Sequence, residues 1–436
     1  MKRILVLGAG LVAKPLVDYL AAREDLELTV ADIAVGKAEA LTRLYGNASA
    51  LRLDVSDEAR VADRIAAHDI TVSLLPATAH PGIARLCLKH AKHMTTASYI
   101  SPEMRALDVE AKAKDLTFIN ECGVDPGLDH MSALRIIHSA ERDGGKVLSF
   151  RSYCGGLPAP EANTNPMGYK FSWEPRGVLV AATAPARYRN NGVDVEVAGD
   201  ELFADPELIE LPGIGRFEGY PNRDSLPYIE MYGLEGVETM FRGTLRNEGH
   251  CAVCYPWVKS GMLDQGERSD IGTMTYIQLM REIAGEADNL KLALAEMWGV
   301  ATDHSAITNL EWLGMFDDVS VGLERGGNVD ILAKRMSERC AYAEGERDMI
   351  LMQHEFVVRS GGSDKVLYST LVAFGEPGGD SAMARTVSLP LAVATRLLLE
   401  GRIEQRGVVA PVAREIYEPI LDELDGMGIS FEEREV

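Results

Sequence analysis

Positive charge is what this chain lacks most. Against 66 Asp and Glu residues stand 44 Lys and Arg, a formal net charge of −22. That balance argues against nucleic acid and anionic membrane surfaces as partners, and it requires a local island of Arg or Lys to hold any acidic small molecule. Cysteine is scarce as well. Cys87, Cys122, Cys154, Cys251, Cys254 and Cys340 are the whole supply in 436 residues, too few for a disulfide scaffold and in keeping with a reducing compartment. Cys251-Ala252-Val253-Cys254 has CxxC spacing, but no second pair or histidine follows at zinc spacing, and its apolar middle reads as a strand or helix with buried thiols. No metal site is expected. No apolar run reaches the roughly eighteen residues that span a bilayer. The N-terminus opens directly into a strand rather than a leader peptide, and neither internal repeats nor low-complexity segments occur. A soluble cytoplasmic chain is the expectation. With 46% apolar and 25% charged residues over this length, two or three ordinary domains are expected.

What is present begins at once. Arg3-Ile4-Leu5-Val6-Leu7 is an apolar run that reads as a buried parallel strand, and Gly8-Ala9-Gly10-Leu11-Val12-Ala13 follows ahead of a helical pattern. Leu28-Thr29-Val30-Ala31 is a second strand ending on Asp32. Strand, glycine turn, helix, strand and acid in this order make a dinucleotide site. Gly8 permits the tight turn, Gly10 lets a pyrophosphate approach the backbone, and Ala13 still packs closely on the sheet. The helix N-terminus offers N–H groups and a partial positive charge to the phosphates. Asp32 can accept both hydroxyls of the adenine ribose.

The alternation of strand and helix continues to about residue 125, with strands expected at 3–7, 27–31, 49–53, 70–75, 93–97 and 116–120, and helices at 37–44, 59–66, 81–90 and 102–114. Short loops between them imply a doubly wound parallel sheet whose ligands sit at the carboxyl ends of the strands. After Gly127 the pattern changes. A helix over 128–139 leads into strand-like stretches at 147–154 and 193–197, separated by Gly-, Pro- and Asn-rich loops, as in an α+β domain with a mixed sheet. Residues 266–349 read as mostly helical, 349–358 and 365–374 as a strand pair, and 381–401 as a long apolar helix whose tail returns to the first domain. The expected division is therefore a dinucleotide domain over 1–125 completed by about 381–436, a substrate and dimerisation domain over 126–265 and about 350–380, and a helical insertion over about 266–349.

Several clusters could carry chemistry. Asp125, ahead of the Pro126-Gly127 turn, lies at a strand's carboxyl end and reads either as a ligand-facing carboxylate or as the cap of the following helix. His130, in the first turn of that helix, reads as structural or catalytic. Ser152-Tyr153-Cys154-Gly155-Gly156-Leu157-Pro158 reads as a strand ending in a glycine turn, open to a ligand or simply a turn. Gly168-Tyr169-Lys170-Phe171-Ser172-Trp173 sets aromatics beside a cation and equally suits a core strand. Arg223 and Arg246 are loop arginines able to grip carboxylates in a bidentate fork or to form surface ion pairs.

The combination of Gly8-Ala9-Gly10-Leu11-Val12-Ala13, Thr96-Ala97-Ser98-Tyr99, Gly123 through His130, Ser152 through Glu161, Tyr220 through Ser225, Arg242 through Arg246, Glu344 through Asp348 and Gly407 through Pro411 resembles the glutamate-forming saccharopine dehydrogenases nearly end to end. The resemblance implies a variant Rossmann domain, an α/β substrate domain, a helical insertion, a homodimer, and saccharopine in a cleft between the first two domains. Carried over by position, it implies that the dinucleotide touches Gly10, Leu11, Val12, Ala13, Asp32, Ile33, Asp54, Val55, Leu75, Ser98, Val124, Asp125 and Pro126. Saccharopine would touch Ser98, Tyr99, Asp125, Arg223, Thr244, Leu245 and Arg246, with Asp125, Tyr99 and Cys154 nearest the chemistry. The implied reaction interconverts saccharopine and water with glutamate and 2-aminoadipate 6-semialdehyde, with NAD or NADP as the hydride carrier, in lysine metabolism. Three substrate carboxylates would account for two arginines in an acidic chain. Fungal members of the family use NADP and place a basic residue just after the second strand. Here that stretch is Asp32-Ile33-Ala34-Val35-Gly36, which favours NAD. Lysine 6-dehydrogenase and carboxynorspermidine synthase share the scaffold, and a dinucleotide sensor without catalysis is the reading from another class. Asp125, Tyr99 and the arginines count against the sensor, which needs no substrate clamp.

Overall fold

A computed structural model describes residues 1–436. Its strands are β1 (Lys2–Leu7), β2 (Leu26–Asp32), β3 (Ala48–Arg52), β4 (Ile70–Ser73), β5 (His93–Thr95), β6 (Thr117–Ile119), β7 (Lys146–Pro158), β8 (Ala186–Asn190), β9 (Val193–Val197), β10 (Glu207–Leu211), β11 (Gly215–Pro221), β12 (Thr239–Asn247), β13 (Asp348–Ser360), β14 (Ser363–Phe374), β15 (Gly407–Val409) and β16 (Phe431–Glu435). The chain forms two compact units, Met1–Val147 with Val358–Val436, and Leu148–Val357.

In the first unit seven strands pair in parallel in the order β15-β6-β5-β4-β1-β2-β3. Ile4, Leu5, Val6 and Leu7 of β1 are fully buried, as expected of a central parallel strand covered on both faces. Strand order reverses between β1 and β4, and a ligand crevice opens at such a switch point. Helix Ala13–Ala21 follows the glycine turn, and helix Ala382–Leu399 packs against it and against β4 and β5. β15, from the C-terminal segment, adds the seventh strand beside β6. β14 pairs antiparallel with β16.

Helix Ala382–Leu399 is long and apolar enough to cross a membrane by length and composition, yet 78% of it is buried inside the protein. Its apolar character serves the core of the first unit, and Arg396 within it binds Glu400 and Glu423. The segment expected as one helix over 102–114 is two short helices, Pro102–Arg105 and Asp108–Ala113; Asp108, the first residue of the second, accepts the Val408 N–H at 2.9 Å.

The second unit orders its strands β10-β11-β12-β7-β13, with the β8–β9 hairpin beside β12. β7 runs parallel to β12, whereas β10, β11 and β12 alternate in direction, so the sheet is mixed. The domain division differs from the expected three parts. Met167, Tyr169, Leu179, Val253 and Trp257 share one hydrophobic core with Met262 through Cys340, which makes the helical segment part of the second unit. Helix Leu128–Arg142 belongs instead to the first, where Arg135 binds Glu418 and Asp422 of helix Arg414–Asp425.

The start of helix Leu128–Arg142 depends on one glycine. Gly127 sits at φ +147°, and a Cβ there would lie 2.1 Å from the Gly123 carbonyl oxygen. Gly127→Ala is expected to destabilise the protein by at least about 2 kcal/mol. Gly46→Ala, whose Cβ meets nothing within 4 Å, is the control; equal thermal midpoints for the two variants would refute the claim.

Candidate active site

The carboxyl ends of the parallel strands carry the candidate groups of the first unit. After β1, the Gly8 N–H donates to the Ala31 carbonyl at 2.8 Å, and the Asp32 carboxylate accepts the Ala9 and Ala34 N–H groups, each at 2.8 Å. Asp32 therefore clamps the glycine turn to the end of β2, a task absent from the expected ribose role. A Cβ on Gly10 would meet nothing within 4 Å, so the backbone ahead of helix Ala13–Ala21 is open to a bulky anion, while Ala13 is fully buried against the sheet. Leu11, Ile33 and Val55 are exposed apolar side chains along the same edge. Asp54 accepts the Ser56 hydroxyl and N–H, which hold its pKa below the usual carboxylate range. A cavity of about 780 Å³ lies beyond, lined among others by Val55, Ser56, Ala77, Pro81 and Arg85. Open backbone, anchored acid and adjoining cavity fit a dinucleotide.

The ends of β5 and β6 hold the reactive candidates. Tyr99 donates its hydroxyl hydrogen bond to Asp125 Oδ1 at 3.2 Å, so two expected catalytic residues do come together. Asp125 does not serve as the helix cap. The N–H groups of Leu128, Asp129, His130 and Met131 reach the backbone carbonyls of Gly123, Val124 and Gly127, and the Gly127 N–H reaches Asp129. His130 is buried, with Nε2 2.9 Å from Glu121 Oε2 and Nδ1 3.6 Å from Asp129. Glu121 also accepts the Ile100 N–H at 2.9 Å, bracing the segment that carries Ser98 and Tyr99. Burial alone would raise the Glu121 pKa, but the hydrogen bond and charge of His130 outweigh it and hold it low. His130 thus has a structural place. Val124 and Pro126 are buried beside Asp125, and Leu75 is half-buried after β4.

In the second unit β7 continues through Gly155 and Gly156 to Pro158, so the expected glycine turn is absent. A side chain at Gly155 would lie 2.6 Å from the Leu245 carbonyl oxygen; the glycine admits strand β12. Cys154 is the register partner of Thr244 on that strand. Arg246 lies on β12 rather than in a loop, opposite Glu218 of β11. The Glu218 carboxylate accepts the Gly249 and Cys251 N–H groups at 2.8 and 2.7 Å, serving the start of helix His250–Lys259. The guanidinium of Arg246 instead sits 5.0 Å from the Tyr169 ring centre, donates from Nη1 to the Leu245 carbonyl at 2.8 Å, and leaves Nε buried without a hydrogen-bond partner. A buried donor so placed suits an incoming carboxylate. Arg223 is exposed at φ +56° after β11, where its carbonyl accepts the Arg187 N–H.

Other expectations resolve structurally. Gly168 to Trp173 is not a strand, and Lys170 pairs with Glu346 at 2.5 Å and Thr164 at 3.2 Å. Cys251 and Cys254 occupy helix His250–Lys259 as free thiols, and burial raises both pKa values. Sequence reasoning passed over His80 and His250, and it singled out Tyr169 only as an aromatic beside Lys170. His80 had a signal, since Leu75-Pro76 follows β4 and His80-Pro81 opens the next helix at a strand's carboxyl end; that Tyr169 and His250 lie near Arg246 had none, because only folding brings them together.

Burial pushes the His80 pKa down to about 4, and burial with the Arg246 charge pushes that of His250 to about 3, from an ordinary 6.5. An unfolded histidine takes up its proton first on acidification, so this stability is complete above pH 6.5 and is lost as pH falls toward 4. His80 accounts for roughly 3 kcal/mol across that window. The thermal midpoint should fall on acidification and fall less in His80→Gln or His250→Gln; parallel curves for wild type and variants would contradict it.

Comparison with known proteins accounts for nearly the whole chain. Residues 4–119 match the saccharopine dehydrogenase NADP binding domain, and residues 123–429 match the saccharopine dehydrogenase C-terminal domain. A "Saccharopine dehydrogenase [NADP(+), L-glutamate-forming]" of Schizosaccharomyces pombe is 40% identical over 447 residues, covering 99% of both chains. The protein of that name from Saccharomyces cerevisiae is 38% identical, covering 100% of this chain and 99% of its own. A mitochondrial alpha-aminoadipic semialdehyde synthase of Bos taurus is 38% identical over 99% of this chain, which spans 47% of that longer protein. The solved structure of apo saccharopine dehydrogenase (L-Glu forming) from Saccharomyces cerevisiae superposes with a TM-score of 0.90 at 36% identity, covering 100% of both chains.

Proposed function

Because the chain belongs to the saccharopine dehydrogenase family, we propose that it is an oxidoreductase acting on the CH–NH bond of saccharopine. It interconverts saccharopine, water and the oxidised dinucleotide with L-glutamate, 2-aminoadipate 6-semialdehyde and the reduced dinucleotide, within lysine metabolism. The observation that carries this reading is Arg246, whose buried Nε has no hydrogen-bond partner within an acidic chain. A substrate with three carboxylates answers that vacancy, and Arg223 supplies a second fork.

A dinucleotide held by these residues would supply the hydride acceptor for the carbon beside the secondary amine, and the hydride donor in the reverse direction. The protein's share is to place and move protons. Asp125 takes the proton of the secondary ammonium, which frees the nitrogen lone pair to form the iminium. That proton passes to solvent, and the freed carboxylate then takes one from the water that attacks the iminium carbon. Returned to nitrogen, that proton makes the amine a leaving group, and as the carbinolamine collapses the carboxylate takes the hydroxyl proton, so that glutamate leaves with the amine and the semialdehyde keeps the oxygen. Tyr99, within hydrogen-bond reach of Asp125, orients its carboxylate. Thr244 and Leu245 directly precede Arg246 on β12, and Cys154 lies in register with Thr244.

The dinucleotide contacts assigned to this chain are Gly8, Gly10 to Ala13, Asp32-Ile33, Asp54-Val55, Leu75, Ser98 and Val124 to Pro126. Between the two nicotinamide dinucleotides, the names of the fungal relatives carry NADP(+). In this chain the Asp32 carboxylate is tethered to two N–H groups and cannot swing aside, and no arginine follows it. A 2′-phosphate charge about 4 Å away would meet roughly 4 kcal/mol of repulsion at an effective dielectric near 20. NAD is assigned the higher kcat/KM. Absorbance of the reduced nicotinamide with saccharopine and either dinucleotide tests both activity and preference; no turnover with either rejects the activity, and a tenfold advantage for NADP rejects the assignment of NAD.

The roles of the residues separate in kinetics. Arg246→Ala and Arg223→Ala should each raise the KM for saccharopine roughly ten- to a hundredfold, the cost of a lost charged hydrogen bond, with dinucleotide affinity unchanged. Asp125→Asn should keep fold and dinucleotide affinity while lowering kcat by about 10²–10⁴. Near-normal turnover in Asp125→Asn, or normal saccharopine binding in both arginine variants, would remove those residues from their roles.

A further inference from the structure

Between the ends of β4 and β5 runs a polar chain with no part in the proton transfers above. Ser73, the last residue of β4, is fully buried, and His80 and Thr96 are 2% and 1% exposed. His80 Nδ1 lies 3.0 Å from the Ser73 hydroxyl, and Nε2 lies 2.8 Å from the Ser98 hydroxyl and 3.3 Å from that of Thr96. The Ser98 N–H donates to Thr96 Oγ1 at 3.3 Å. This is a chain of side chains from the interior of the sheet to a half-buried serine at its carboxyl edge.

The direction of these hydrogen bonds follows from what is buried. A neutral imidazole has one donor and one acceptor nitrogen, and burial pushes the His80 pKa down to about 4, so the neutral form prevails. The hydroxyl of Ser73 is bonded to His80. Were Nδ1 the donor, the Ser73 proton would be left unpaired in a dry interior at a cost of about 1–3 kcal/mol. The satisfied arrangement has Ser73 donating to Nδ1 and Nε2–H donating to the Ser98 oxygen. The proton of Ser98 is then left for an outside acceptor. In the strand order, β4 and β5 lie on the opposite side of β1 from β2 and Asp32. If the adenosine end lies toward Asp32, the nicotinamide end lies toward Ser98.

We infer that His80 is a positioning residue that fixes the Ser98 hydroxyl as a hydrogen-bond donor to an acceptor oxygen on the nicotinamide half of the bound dinucleotide. The inference rests on the dinucleotide-binding part of the proposed function and is independent of the substrate's identity. The rival account is that His80 only packs the start of helix His80–Lys89.

A double-mutant cycle separates the two. His80→Ala, Ser98→Ala and the double variant of the full chain are titrated with NADH and NADPH by nicotinamide fluorescence, without saccharopine, and their thermal midpoints are measured alongside. Each single variant should weaken dinucleotide binding roughly five- to tenfold, the value of one net hydrogen bond. The double variant should be no weaker than the worse single, since both remove the same bond. His80→Gln, whose amide N–H can stand in for Nε2–H, should recover most of the affinity. Losses that multiply in the double variant, or a lower thermal midpoint with unchanged affinity, would show packing alone and overturn the inference. Unchanged dinucleotide affinity with a raised KM for saccharopine would move the acceptor to the substrate and overturn it equally. A wild-type protein that binds neither dinucleotide would overturn both this inference and the proposed function. One that binds them but leaves saccharopine intact would overturn the function and leave the cycle to decide His80.

Discussion

A strand that ends at a sheet's edge leaves backbone N–H groups that no neighbouring strand pairs, and in this protein carboxylates close them. Asp32 takes the N–H groups of Ala9 and Ala34, Glu121 that of Ile100, Asp129 that of Gly127, and Glu218 those of Gly249 and Cys251. Each acceptor sits beside a segment that carries candidate site residues. The glycine turn, the Ser98-Tyr99 corner, the Asp125 turn and the end of β12 depend on these charge-assisted bonds for their shape. Part of the acidic excess is thus structural, spent on backbone rather than on lysine and arginine.

The same use of carboxylates governs the charge left over for ligands. Glu218 faces Arg246 across the β11–β12 ladder, and a cross-strand pair of opposite charge ordinarily neutralises itself. Here the helix that begins at His250 draws the carboxylate to its own N–H groups. Tyr169 offers the guanidinium a ring face in its place, an attraction that orients the cation without cancelling its charge. Lys170, next to Tyr169 in sequence, shows the opposite outcome: Glu346 takes it, and it becomes part of the scaffold.

Buried histidines divide along similar lines. His130 lies between two carboxylates, and its bond to Glu121 holds that carboxyl's pKa low. His80 has only hydroxyl neighbours among its hydrogen-bond partners, so burial decides its state and keeps it neutral. One histidine therefore welds a turn, while the other can pass hydrogen-bond direction from the interior to the edge of the sheet. Both lie within a few residues of Pro-containing turns at strand ends, where local sequence alone gives them the same appearance.

The amino-acid order by itself determined the parallel dinucleotide sheet, because each strand is a short apolar run and each crossover an amphipathic helix, with Gly8, Gly10 and Asp32 at mechanically required places. It also marked Asp125, Tyr99, Arg223 and Arg246, because charged or hydroxyl residues beside turn-forming Pro and Gly stand out against an apolar pattern. Tertiary structure alone decided what those groups face. Whether Asp125 capped a helix depended on carbonyls of Gly123 and Val124 reaching the same N–H groups. Gly155 looked like a turn until β12 was found beside it, and Lys170 looked available until Glu346, far along the chain, was found on it. The long apolar helix Ala382–Leu399 became core because a sheet and a helix from the other end of the chain cover it. Local sequence encodes conformation through short-range sterics and periodicity, but a hydrogen bond or ion pair is settled by whichever partner the fold brings within reach.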